Sequence, residues 1–372
     1  MLSKIIFLAV FLILVLILKK HWNLNHEGFT SDSGSDNEKG NVEVHDVKRP
    51  FVNFYDNNGN RLNIIGISKP FSGDENFEEY KKYRDSGAII IGVSSYLEFP
   101  NMISNPYENF SENYKKYKYK ELCRAWLHGF RDPVNYFPMG IPHALISESD
   151  FMDCNVAKPD DSVPKQYDFI YICLKQDEKN DACDDWATYN KNWELAQKCL
   201  KVMCERHKLR GLLVGRKDCK LPGMCHKLMD TTNMLEYGKM LESYRSAKFL
   251  FVPNRADASP RVITEALLTD LPILVNENIL GGWKYVNEKT GVFFRDEHDI
   301  SRAVESITTG IREEIYSPRR NFLTNYGVVN TGKRLKDFFY NNFGNEINVK
   351  RHLVDYVVID NPKHDYRDCP LT

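Results

Sequence analysis

Two carboxylates eight positions apart, Asp257 and Glu265, bracket the run Asp257-Ala-Ser-Pro-Arg-Val-Ile-Thr-Glu265. Its residue types suit the start of a helix. Ser259 is a good N-cap type, and Pro260 fits the first helical position, where its missing N–H is not needed. Val262, Ile263, Ala266 and Leu267 recur at helical spacing and make one apolar face. Glu265 then stands more than a turn inside, with its side chain leaning back toward the N-terminus. Both acids are therefore expected to border one cleft floored by the positive end of a helix dipole, whose free N–H groups attract an anion. Ser259 and the amides of Arg261 and Val262 would face a diphosphate, with Arg261 either adding a charge or standing in solvent. Phosphate on the amides and hydroxyls on the acids suit a nucleotide sugar.

The pattern continues C-terminally through Leu271-Pro272-Ile-Leu-Val275, then Gly281-Gly282, then Thr290-Gly291-Val-Phe-Phe294. The whole resembles the signature of the group 1 glycosyltransferase family, retaining enzymes with two Rossmann-like domains in the GT-B architecture. Two positions depart from it. Asp257 is one methylene shorter than the usual Glu, and Asp270 replaces the Gly that ends the helix, a mild change because Asp tolerates the left-handed conformation. The resemblance implies that Glu265 meets the donor's ribose hydroxyls and Asp257 the hydroxyls of the transferring sugar. It also implies a cationic pair just after the first strand of the C-terminal domain, where Lys175 and Lys179 stand, one residue closer than usual and with Lys for Arg. Arg216 is a competitor for that role. Charge-assisted contacts of ~1.5–3 kcal/mol each that strengthen as the leaving group gains charge would supply roughly a thousandfold in rate. Gly281 and Gly282 would let backbone approach donor or acceptor closely. No glycine-rich loop stands early in the first domain, where Ser68-Lys-Pro-Phe-Ser-Gly-Asp74 takes its place.

The remaining candidates are weaker. His128-Gly-Phe-Arg131-Asp132 puts three polar groups together, with His128 a candidate to polarise a hydroxyl and Arg131 and Asp132 on the acceptor side. Glu148 and Asp150 lie near a linker. The Lys- and Tyr-rich run 114–120 reads as a solvated helix face. Asn109-Phe-Ser111 is a glycosylation sequon. No DxD pair appears, so this reading needs no metal or other cofactor beyond the nucleotide-diphosphate sugar.

Positioning such a site takes an α/β scaffold, and the chain of 372 residues is long enough for two domains. Ile5–Leu18 is an apolar run followed by Lys19 and Lys20. Fourteen residues are fewer than the ~20 of a full span, which suits a signal-peptide core. No small-residue cleavage site comes after it, however, so residues 1–22 are read as an uncleaved signal anchor, with Trp22 at the interface and the orientation open. Residues 23–50 are polar and read as a flexible stalk. A small N-terminal α/β domain is expected over 51–155, with strands at 63–67 and 88–93 and helices at 76–84 and 114–128. After a Pro-rich linker, strand–helix alternation over 166–330 predicts a parallel doubly wound sheet, with ligands outside the strand C-terminal ends. Its helices include 186–206, 234–246 and 299–309, and a terminal helix and tail occupy 331–372. The nine cysteines include no CxxC pair, and their odd number argues against a complete disulfide framework. Cys199 and Cys204 read as core residues. Cys219 and Cys225 flank a Pro-Gly loop where pairing or metal binding is conceivable but lacks partners at ligand spacing. The net charge of −1 gives no general reason to expect nucleic acid.

The expected protein is a membrane-anchored retaining glycosyltransferase of the ER or Golgi, acting on a glycan, lipid or protein acceptor. Transfer would occur on the front face, the departing phosphate oxygen taking the acceptor proton. The rivals are a nucleotide-sugar epimerase or phosphate-using lyase on the same architecture, and a non-catalytic sugar-binding protein.

Overall fold

A computed structural model describes residues 47–101, 116–174, 183 and 186–360. The apolar run Ile5–Leu18, the stalk to residue 46, the Asn109 sequon, Lys175 and Lys179 lie outside the described residues. Among the described residues no helix is long and apolar enough to cross a membrane.

The first half opens with β1 (Phe51–Asp56) and β2 (Arg61–Ile67), an antiparallel pair. Helix α1 (Asp74–Asp85) comes next, with acids in its first turn and Lys82 and Arg84 in its last, matching its dipole. β3 (Ile89–Val93) is buried along its whole length, as an apolar run covered on both faces must be. The helix expected over 114–128 does not form as such. Within its described part Lys116 and α2 (Tyr119–Leu122) are helical, with a break between them, and Trp126–Leu127 is strand β4. The apolar run at Ala125–Leu127 is a sheet interior rather than one side of a helix: Trp126 faces one core with Ile90 and Phe130, Leu127 the opposite core with Ile89 and Ile91. β5 (His143–Ala144) completes the parallel part β2-β3-β4-β5.

The second half is plainer. Strands β6 (Tyr167–Ile172), β7 (Gly211–Val214), β8 (Met229–Thr232), β9 (Ala247–Val252), β10 (Ile273–Asn276) and β11 (Gly291–Phe294) form one wholly parallel sheet in the order β11-β10-β9-β6-β7-β8. The helix expected over 186–206 is two helices, α3 (Trp186–Asn190) and α4 (Trp193–Glu205), broken where Asn192 takes a left-handed φ of 52°. Trp193, Ala196, Leu200 and Met203 form the buried face of α4. Helices α5 (Cys225–Leu228), α6 (Tyr237–Arg245), α7 (Arg261–Leu268) and α8 (Ile300–Arg312) complete this half. Asp270 does end the α7 region in the left-handed conformation, at φ 60°.

Disulfides join Cys183 to Cys219 and Cys204 to Cys225, so the two cysteines flanking the Pro-Gly loop pair elsewhere rather than with each other, and Cys204 is cross-linked within the core. Cys123, Cys173 and Cys199 are buried thiols.

The C-terminal segment returns to the first half. After α9 (Pro318–Asn325), helix α10 (Gly327–Phe343) lays Leu335, Phe339 and Phe343 on the sheet face formed by Val52, Phe54, Ile64 and Ile89. Each fully buried side chain of this size contributes about 1.5–3 kcal/mol. Strand β12 (Val357–Ile359) then pairs antiparallel with β1, closing the first sheet as β12-β1-β2-β3-β4-β5. The described part of what reads as a terminal helix and tail is a structural part of the first domain.

Candidate functional site

The order of the second sheet reverses beside β6: β7 and β8 lie on one side, β9, β10 and β11 on the other. Loops leaving the C-terminal ends of β6 and β9 must diverge there, opening the crevice where ligands of doubly wound sheets bind. The loop from β9 is Pro253–Pro260, which carries Asp257 and runs into α7.

Asp257 is gripped from one side. Its Oδ2 accepts from Lys191 Nζ at 2.6 Å and from Asn254 Nδ2 at 3.0 Å. Lys191 comes from the break between α3 and α4, and the two side chains keep 12% and 14% of their surface exposed. Asn190 holds the same loop by accepting from the Arg255 amide at 2.9 Å. Among the described residues Oδ1 of Asp257 has no partner, so it can accept from a ligand hydroxyl.

Glu265 occupies a different environment. Tyr244 donates to its Oε2 at 2.9 Å, and Arg261 stands 3.8 Å from Oε1. Burial raises its pKa, against the lowering effects of the Tyr244 hydrogen bond and the Arg261 charge. The two carboxylates share no partner.

The turn between them is covered by protein. Ser259 does not cap α7; Pro260 holds the N-cap position without a side-chain bond. The Ser259 hydroxyl instead accepts from the Ser149 amide at 3.0 Å and lies 2.7 Å from the Ser149 hydroxyl, which donates to the Ser259 carbonyl at 2.8 Å. Ala258 is flanked by glycines from both halves: a Cβ on Gly129 would stand 2.5 Å from its carbonyl oxygen, and one on Gly281 2.0 Å. Gly282, at φ 83°, would drive a Cβ to 2.4 Å from Pro260 Cγ. The close approach expected of Gly281 and Gly282 is thus made to the chain's own turn. The expected open floor at the start of α7 is occupied by the Ser149 segment and Gly129.

Further ties run across this seam. Trp283 Nε1 donates to the Gly129 carbonyl at 2.8 Å. Arg131 donates to the Glu277 carbonyl at 3.0 Å, with its guanidinium over the rings of Trp283 and Phe293 at 4.9 and 5.5 Å. Deeper in, Lys284 and Asp150 form an ion pair at 2.7 Å, their side chains 3% and 0% exposed. Asp150 also accepts from the Tyr285 hydroxyl and from the amide and hydroxyl of Ser147. Burial pushes the Lys284 pKa down and the Asp150 charge pulls it back up. Glu148, its neighbour, pairs at the surface with Arg49 at 2.9 Å.

His128 is buried behind this corner. Its Nδ1 accepts from the Phe130 amide at 3.1 Å, which leaves the hydrogen on Nε2 to be donated to His143 Nδ1 at 3.2 Å. Burial, then the neighbouring His143 and Lys284, push its pKa down to about 3. Both ring nitrogens are engaged, so in this arrangement His128 orients the exposed His143. Arg216 is fully buried as well: it donates to Cys173 Sγ at 2.9 Å, the Cys183 carbonyl at 2.9 Å and the Thr188 hydroxyl at 3.1 Å, with Trp193 beneath it. That burial corrects the expectation of a cleft cation at this position. Asp132 is exposed, and α7 begins at Arg261, one residue later than expected, with Arg261 and Val262 as its first two residues.

Sequence reasoning missed Lys191, Asn254, Tyr244 and Lys284. Lys191 alone left a trace, the polar Asn190-Lys-Asn192 interrupting an apolar helix pattern. Among the described residues no group of three or more His, Cys, Asp or Glu side chains is placed to hold a metal ion.

No protein-family profile matches the sequence, and no curated protein matches it. Solved structures do match in shape. Sucrose-phosphate synthase from Thermosynechococcus elongatus superposes with a TM-score of 0.54 at 10% identity, over 72% of this chain and 71% of its own. A glycosyltransferase from Rickettsia africae gives 0.52 at 10% identity, over 76% and 77%. Anabaena HepE, crystallised with UDP and glucose, gives 0.51 at 10% identity, over 71% and 74%. At such identities the likeness establishes the fold alone: two α/β domains of the GT-B kind, as in these structures.

Proposed function

We propose that the chain is a glycosyltransferase that moves a sugar from a nucleotide-diphosphate donor to an acceptor hydroxyl with retention of configuration. The observation carrying this reading is the Asp257 carboxylate, held by Lys191 and Asn254 at the β6/β9 crevice with one oxygen unpartnered. That oxygen accepts from a hydroxyl of the transferring sugar, and the Lys191 ammonium beside it offsets the charge gathering on the leaving phosphate. Glu265 takes the ribose hydroxyls, and the amides of Arg261 and Val262 take phosphate oxygens. Lys175 and Lys179 are proposed to add to the positive field, and His128 to act through His143. For phosphate to reach the α7 amides, Ser149 has to release Ser259 and Gly129 to leave Ala258, a rigid-body separation of the two halves. The N-terminal apolar run is proposed to anchor the chain to a membrane of the secretory pathway.

A panel of nucleotide sugars, monitored for release of free nucleoside diphosphate, tests the proposal. Turnover of at least one donor is expected, with Glu265→Gln strongly reducing it while the fold is preserved. Wild-type turnover in a folded Glu265→Gln protein contradicts the proposal. A second reading, a non-catalytic binder, is favoured by the covered start of α7. Donor binding without any turnover would select it, and an altered sugar still joined to its nucleotide would select an epimerase.

A further inference from the structure

Helix α3 (Trp186–Asn190) has five residues, little more than a single turn. A helix so short does not hold itself in water, where roughly 12–15 residues are needed even for marginal stability. Its place must therefore be set from outside. That place matters, because the residues at its C-terminal end grip the Asp257 loop. The Asn190 carbonyl accepts from the amides of Arg255 at 2.9 Å and Ala256 at 3.4 Å, and Lys191 Nζ reaches Asp257 at 2.6 Å.

Ties at both ends fix α3. At its C-terminal end the Tyr171 hydroxyl, from β6, donates to the Lys191 carbonyl at 3.1 Å. At its other end the tie comes from the loop leaving β7. Arg216, fully buried, donates to the Cys183 carbonyl at 2.9 Å and to the Thr188 hydroxyl at 3.1 Å. That hydroxyl donates in turn to the same Cys183 carbonyl at 3.0 Å. The Cys183–Cys219 disulfide closes this corner covalently, since the Cys219 amide donates to the Arg216 carbonyl at 3.2 Å. Arg216 is itself referenced to the sheet, because its Nε donates to Sγ of Cys173, just past β6, at 2.9 Å. The second disulfide, Cys204–Cys225, instead joins the end of α4 to the start of α5.

We propose that the Cys183–Cys219 disulfide and Arg216 are positioning elements of the candidate site. They set where α3 begins, and through Asn190 and Lys191 they set where the Asp257 carboxylate stands. Arg216 thus serves the site from within the fold, without touching phosphate. The catalytic meaning of that position rests on the transferase reading; the mechanical link does not.

Amide hydrogen exchange of the full chain, read by mass spectrometry with no donor present, tests the link. In Cys183→Ser/Cys219→Ser, peptides covering 253–258 are expected to exchange about tenfold faster or more, while those of β10 and β11 keep their rates. Cys204→Ser/Cys225→Ser is the matched control, expected to leave 253–258 unchanged relative to β10. Thr188→Val keeps the disulfide and removes only the hydroxyl bridge; about threefold faster exchange at 253–258 is expected of it, and it decides the matter if the first variant does not fold. Unchanged exchange at 253–258 in the folded variants, or equal acceleration in β10 and β11, overturns the proposal. Donor turnover gives a separate arm. Where the parent chain turns a donor over, the Cys183/Cys219 substitutions and Asp257→Asn are expected to cost less together than the sum of their separate effects, and strict additivity overturns the link to Asp257. Absence of turnover in the parent tells against the transferase reading alone, and exchange still decides the positioning.

Discussion

Two Asp–Lys pairs, Asp150–Lys284 and Asp257–Lys191, have nearly the same length, 2.7 and 2.6 Å, and do different work. The first is sealed inside the seam between the halves. Its carboxylate is saturated by Lys284, Tyr285 and Ser147, and Arg334 stands 4.0 Å away. The second lies on the loop leaving β9, with one carboxylate oxygen that has no partner among the described residues. Burial and the number of filled acceptor sites therefore tell a structural clasp from a binding group where bond length does not. A saturated, desolvated pair resists disruption because breaking it strands a charge; a half-satisfied pair at a cleft is ready for a ligand.

The largest effect that would break this distinction is expected at the clasp. Lys284→Met strands Asp150 and should cost about 3–5 kcal/mol in urea denaturation, with Asp150→Leu added in the same chain recovering part of the loss. A loss near zero would mean the pair holds nothing together. The same corner sets a pH response. His128 binds a proton near pH 6.5 when unfolded and only near pH 3 when folded. The unfolded state therefore binds more protons between these values, and stability must fall as pH drops through that window, by about 1.4 kcal/mol per pH unit. His128→Asn should flatten this slope relative to the parent, as read from denaturation midpoints at pH 7, 6, 5 and 4.

At the cleft the reading is kinetic. Asp257→Asn is expected to lower donor turnover roughly 10- to 150-fold, the equivalent of ~1.5–3 kcal/mol for a hydrogen bond to a charged group, with little change in melting temperature. A large stability loss with unchanged turnover would reverse the assignment of the two pairs. Smallest of all, Arg334→Ala removes a half-exposed cation at the clasp's margin and should cost less than about 1 kcal/mol.

How much of this was legible in the sequence depends on how each half is built. In the second half most strands are apolar-rich runs alternating with helices, so most of the parallel sheet and the Asp257–Glu265 helix could be read directly; the edge strand β8, Met-Asp-Thr-Thr, carries no such run and was not read. Asp270 was readable too, since its place at a helix end asks for a left-handed residue. In the first half, β4 and β5 are two residues each, too short for any period to register, and β4 was absorbed into a helix pattern. Ser259 looked like a cap because its type suits one; the competing claim of Ser149, 110 positions away, is invisible locally. Lys191 and Lys284 were missed for a similar reason. A lysine reads as surface until the fold supplies the carboxylate that makes burial tolerable.

The return of α10 and β12 to the first sheet has a consequence for the order of folding. The part of the molecule synthesised first is the last that can be finished, since the partner of β1 is made only with residues 357–359. Until then β1 presents a bare ladder of amides and carbonyls, and the apolar face awaiting Phe339 lies open. While the ribosome completes the second domain, this early portion is the one in need of shelter from other chains.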